Sequence, residues 1–164
     1  MRLCLLWAIL AISACVRSQR ESTLTKAERE RIGTEVLAVL DSSQNAENAH
    51  DANAVMAHWL PTEDFASAGG GEMSTSFAAM DSLVRRNIQH FTHTHFEWTD
   101  RRVAVLGRDA AHMLATFRMS VRDSSGDERF VRADWGVLFI RRDGRWWMIR
   151  DQGSEVTDSV RPGR

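Results

Sequence analysis

The apolar residues of this chain change their spacing once, near Thr92. Up to Phe91 they recur every three or four positions, the period of a helix face; from Thr92 onward they alternate, the period of a pleated strand. Ile32, Val36, Val39 and Leu40 make one helical stripe, Val55, Met56, Trp59 and Leu60 a second, and Phe77, Met80, Val84, Ile88 and Phe91 a third. Beyond the switch, "THTHFEWT" places Phe96 and Trp98 on one face. "AHMLATFRMSVR" does the same for Met113, Ala115, Phe117, Met119 and Val121. Neither half can bury its apolar side alone, so the helices must cover the sheet. The expected fold class is α+β, with three N-terminal helices on one side of an antiparallel or mixed sheet.

Local signals mark the boundaries. "TKAE" at 25–28 is a capping box that opens the first helix. "SSQNAENAH" dilutes the stripe, Asp51 is an N-cap for a second, short helix, and Pro61 stops it. "DFASAGGGEMS" reads as a short strand and a glycine loop, and Ser74 to Ser76 offer caps for the third helix. "RRVAVLG" reads as a strand of its own. Asp143-Gly144 predicts a two-residue hairpin turn that pairs Arg142 with Arg145. Counting back, Gly136 falls opposite Asp151, and Asp134 opposite Gly153. Asp134, Leu138, Ile140, Trp147, Ile149 and Asp151 then share one face, and Trp135, Val137, Phe139, Trp146, Met148 and Gln152 the other. Both faces are apolar in the middle, so one meets the helices and the other a partner subunit or a lipid-proximal surface.

The N-terminus predicts export. "MRLCLLWAILAISAC" has Arg2, an apolar run from Leu3 to Ile12, and small residues before Cys15, the order of a secretory signal and too short a run for a membrane span. "ISAC" resembles the lipobox of bacterial lipoproteins, which implies cleavage and lipidation at Cys15. The expected organisation is a signal peptide at 1–14, a tether at 15–24, a folded domain at 25–155 and a polar tail at 156–164. The chain would be held to the membrane of the bacterial cell envelope through Cys15; Val16 in place of Asp resembles the outer-membrane sorting pattern. Cys4 leaves with the leader, so a cysteine-free domain excludes disulfides, thiolate catalysis and cysteine-bound zinc. A formal charge of −1, with both signs interspersed, gives no field for nucleic acid. Lys26 is the only lysine, in an exposed helix turn, which excludes Schiff-base chemistry.

The order helix, helix, short strand, helix and four long strands, closing on "DGRWWMIRDQGS", resembles the nuclear-transport-factor-2-like superfamily over residues 25 to 155. That group includes the SnoaL-like polyketide cyclases, ketosteroid isomerase and scytalone dehydratase. The resemblance implies a cystatin-like cone, a curved sheet wrapped around the helices, often dimeric through the outer sheet face. It makes Asp134 similar in place to the oxyanion-hole acid of the isomerase, kept protonated by an apolar site. The isomerase's tyrosine has no counterpart, since the chain contains none and Ser43 falls there, and its base falls in "ASAGG". A scytalone-dehydratase-like scheme draws instead on Asp134, His112 and His58 as an acid–base set. Trp59, Phe77, Thr116, Arg118 and Asp151 are the expected pocket lining. The competing expectation gives Asp134 an ion pair with Arg118 or Arg132, and a cone filled by Met113, Phe117 and Trp59. His93, His95 and Glu97 alternate on a strand and read as solvated polarity; no metal and no cofactor is expected. The leading expectation is a binding module for a small apolar molecule or a protein contact; the alternative is a SnoaL-like lyase, isomerase or hydrolase.

Overall fold

The computed structural model describes residues 24–162, without Gly70 and without the side chain of Asp158; the leader, Cys15 and the tether as far as Thr23 lie outside the described residues. Helix α1, Lys26–Asn48, opens on the Thr25–Glu28 capping box and buries Ile32, Val36 and Leu40. It does not end in the polar stretch "SSQNAEN". Gln44 Oε1 accepts the Trp98 backbone N–H at 2.8 Å, and Asn48 both accepts from Phe96 N at 2.6 Å and donates to Phe96 O at 2.9 Å. These amides meet backbone groups on the outermost strand, which would otherwise be an open edge. The dilution of the stripe is therefore a change of partner, from apolar core to strand backbone.

Helix α2, Ala52–Met56, is capped by Asp51 and leads into buried Trp59 and Leu60 before Pro61. A short hairpin follows, β1, Ala66–Gly69, and β2, Glu72–Ser74. Helix α3, Phe77–His90, is capped by Ser76; its Phe77, Met80 and Val84 lean on the core without being fully buried. Four long strands complete the chain: β3, Phe91–Val105, β4, Ala110–Asp123, β5, Glu128–Arg142, and β6, Arg145–Arg161. Among the described residues they form one mixed sheet in the order β2-β1-β6-β5-β4-β3, with β1 parallel to β6 and the other neighbours antiparallel. The α+β expectation holds.

Three strand expectations are corrected. "THTHFEWT" and most of "RRVAVLG" are one strand, β3, with register shifts between Phe91 and His93 and between Trp98 and Arg101. Residues 156 to 161, expected in a polar tail, extend β6 along β5. The hairpin turn forms as predicted, with Arg142 opposite Arg145 and positive φ at Asp143 and Gly144. Yet Phe139 pairs with Met148 and Leu138 with Arg150, leaving Ile149 as an extra residue. The bulge shifts the register, so Asp151 sits opposite Val137, and Asp134 opposite Ser154. Because strand faces alternate, that single residue turns Asp151 to the helical side and leaves Asp134 on the other.

The core lies between α1 and the inner sheet face, where Val36, Leu40, Phe65, Met113, Val137 and Phe139 are buried. Glu35 pins the helix to the hairpin: it accepts from Trp146 Nε1 at 2.9 Å, and Arg141 stands 3.6 Å away. The indole hydrogen bond, ahead of the nearby guanidinium charges, holds the Glu35 carboxyl below its usual range.

Candidate functional site

The sheet divides the expected site residues between its two faces. Asp134 is exposed on the outer face, away from the helices, and accepts from Ser154 Oγ at 2.6 Å. His112, Thr116 and Arg118 occupy the same face of β4, and the Thr116 hydroxyl lies 2.6 Å from that of Thr99. His112 Nε2 stands 3.4 Å from where a Cβ on Gly136 would sit. Of these residues Asp134, Thr116 and Ser154 line a groove of about 850 Å³, which His112 and Arg118 do not reach. Leu114, Gly136 and Thr116 give its floor, Asp134 and Arg102 its polar flanks, and Met73 of the β1–β2 hairpin an apolar wall. Leu114 and Met73 are 56% and 73% exposed, unusual for residues of their kind.

His58 is elsewhere. It lies between α2 and the buried Trp59, partly buried, and its backbone carbonyl accepts from Met148 N at 3.0 Å. Burial, followed by the Arg145 charge, lowers its pKa, so the ring is neutral at neutral pH. Asp134 and His112 thus share the outer face, and His58 lies on the helical side; the sequence-predicted acid–base set is not assembled.

The helical side is densely aromatic. Phe65 stacks edge-on with Trp59 and Phe77, at centroid distances of 5.8 and 5.7 Å. Phe96, Trp98, Phe117 and Trp135 form a second cluster, with successive rings 4.9 to 5.9 Å apart. Met113, Phe117 and Trp59 are buried, Met113 and Trp59 in the main core and Phe117 in the second cluster. Asp151 is the one charged residue buried in this core among the described residues, at 7% exposure. Its Oδ2 accepts from Trp135 Nε1 at 2.9 Å, while Oδ1 has no partner of hydrogen-bonding geometry. Burial raises its pKa, and the Ser67 hydroxyl and Trp135 indole oppose that in part.

Sequence reasoning passed over Glu47, in the last turn of α1. Desolvation alone raises its carboxyl to about 7. The signal was present: Glu47 continues the Val36, Leu40 stripe at helical spacing. His93, His95 and Glu97 are exposed along β3. Among the described residues no group of three or more His, Cys, Asp or Glu is arranged to hold a metal ion.

The SnoaL-like domain model matches residues 36–159. No curated protein matches the chain in sequence. Among solved structures, a protein from Novosphingobium aromaticivorans assigned as a scytalone dehydratase superposes with a TM-score of 0.73 at 10% identity, covering 85% of this chain and 96% of its own. A hexachlorocyclohexane dehydrochlorinase from Novosphingobium barchaimii gives 0.67 at 12% identity, over 84% and 94%. A nuclear-transport-factor-2-like protein of unknown function from Shewanella oneidensis gives 0.65 at 15%, over 75% and 98%. At these identities the likeness is one of fold.

Proposed function

This chain belongs to the SnoaL-like domain family, and we propose that it serves there as an exported, lipid-anchored binding module whose outer-face groove takes a small, largely apolar molecule. The groove carries the reading. Its volume falls in the usual range for small-molecule sites, about 300–1,000 Å³, and it sets an apolar floor among a few polar groups. The split of Asp134 and His112 from His58 favours binding over the acid–base alternative suggested by relatives named as dehydratases or dehydrochlorinases. The uncharged dye Nile red is expected to gain fluorescence on binding the protein, and Leu114→Asp to reduce that gain at least fivefold. An unchanged gain in the variant sinks the groove as the site.

A second reading rests on the exposure of Leu114 and Met73 on the same face: two copies meet there as a homodimer. Sedimentation of the same Leu114→Asp variant separates the two, because a dimer contact predicts dissociation. Anchoring is tested apart from either. The Cys15→Ser chain is expected to move from the membrane pellet to the soluble fraction; a variant that stays in the pellet refutes the lipid anchor.

A further inference from the structure

On the outer face of the sheet two cations stand opposite one another. Arg118 of β4 and Arg132 of β5 are register partners, and both are exposed. Residues paired across antiparallel strands hold their Cβ atoms about 4.5–5.5 Å apart, and like charges in that position destabilise a sheet. The nearest acids do not relieve Arg118. Glu97 is its partner on β3, yet among the described residues no hydrogen bond or ion pair reaches the Arg118 guanidinium. Asp134, the next outward residue of β5, is engaged by Ser154 Oγ at 2.6 Å.

The two arginines border a hollow of about 330 Å³, together with Thr99, Thr116, Ser154 and Val156. This hollow continues into the groove, because Thr116, Asp134 and Ser154 line both. Its charged lining is two arginines and one aspartate, a surplus of one positive charge. The groove has the opposite balance, with Glu72, Asp100 and Asp134 against Arg102, and Asp100 already stands 3.8 Å from Arg102. The apolar surface of the groove is that of exposed Leu114 and Met73. Arg118, Thr116 and Leu114 alternate outward on β4, so the cations and Leu114 lie about 14 Å apart along the strand.

We propose that the occupant of this continuous surface is a single-chain amphiphile with a carboxylate head. The head lies between Arg118 and Arg132, and the alkyl chain runs past Thr116 onto Leu114 and Met73. This assignment rests on the groove being the binding site, and gives its ligand a head and a direction. Guanidinium groups take the two oxygens of a carboxylate side by side, and one such head balances the surplus charge of the hollow. The acids of the groove turn the head away from its far end. A phosphate head brings a second negative charge toward Asp134 and Glu97. An ammonium head meets two guanidinium groups, and an alcohol leaves them unneutralised.

The test is calorimetric titration of the full chain, carrying Cys15→Ser so that it holds no lipid of its own, with octanoate, octanol, octylamine and octyl phosphate. Octanoate is expected to bind at least tenfold more tightly than octanol or octylamine, and more tightly than octyl phosphate. Arg118→Gln and Arg132→Gln should each cut the preference for octanoate over octanol at least fivefold, with circular dichroism showing that both variants fold. Nile red keeps the two readings apart: a dye signal that Leu114→Asp abolishes upholds the groove whichever head the probes favour. The carboxylate assignment is overturned if octanoate binds no better than octanol, if octylamine or octyl phosphate binds best, if the preference survives both arginine substitutions, or if no probe binds.

Discussion

Gly153→Ala is expected to lower the stability of the fold by about 3 kcal/mol, the upper part of the range for forcing extra atoms into a filled core. A Cβ at this position would lie 2.1 Å from Trp135 Cε3 and 2.6 Å from the Asp134 carbonyl oxygen. The indole rests directly on the glycine backbone, its register partner across β5 and β6. Moving the ring away would break its hydrogen bond to Asp151 and strand a buried carboxylate, so the strain cannot relax cheaply. Urea denaturation provides the measurement. Adding Trp135→Leu should recover part of the loss, since it clears the ring but not the backbone contact. A Gly153→Ala protein as stable as the parent would show that the indole does not lie where it is described.

Glu47→Gln is expected to stabilise the protein at pH 8 and to leave it nearly unchanged at pH 4. The folded carboxyl titrates at about 7, above its ordinary value of 4.5. Between those values the native state holds a proton that the unfolded chain has released, so stability falls as pH rises across the interval. Below 4.5 both states are protonated and the penalty vanishes; above 7 it is fully developed. Glutamine carries no charge to bury, so the variant should gain about 2 kcal/mol at pH 8, a figure reduced from the full linkage value because the side chain is only partly buried. Paired thermal melts at the two pH values check it. An equal difference at both would mean that the carboxylate is well solvated or paired.

Much of this fold was legible because its signals are local. The capping box at Thr25, the Asp51 cap and the Asp143-Gly144 turn each depend on a few neighbouring residues, and each forms as written. The face of Asp151 was not legible. "WWMIRD" is apolar on both parities, so nothing in the residue types reveals that Ile149 is the extra one. Glu47 was hidden by its neighbours. Gln44, Asn45 and Asn48 make the helix end look solvated, and their purpose appears only once β3 lies beside them. Alternation puts Asp134 on the same side of its strand as Leu138 and Ile140, whereas the family resemblance implies that this side lines the cone. Which side of a two-faced sheet the helices cover is a global choice, and the outward residues Arg132, Asp134 and Thr116 signal it only in combination.

The amides of α1 also set how molecules of this protein can meet. Gln44 and Asn48 occupy backbone sites at Trp98 and Phe96, and Arg29 caps the Val105 carbonyl farther along the same border. A ribbon grows without end only when each unit offers a receptive margin on both sides. Here one margin is engaged from within at Phe96, Trp98 and Val105, so another strand can pair there only by first displacing these contacts.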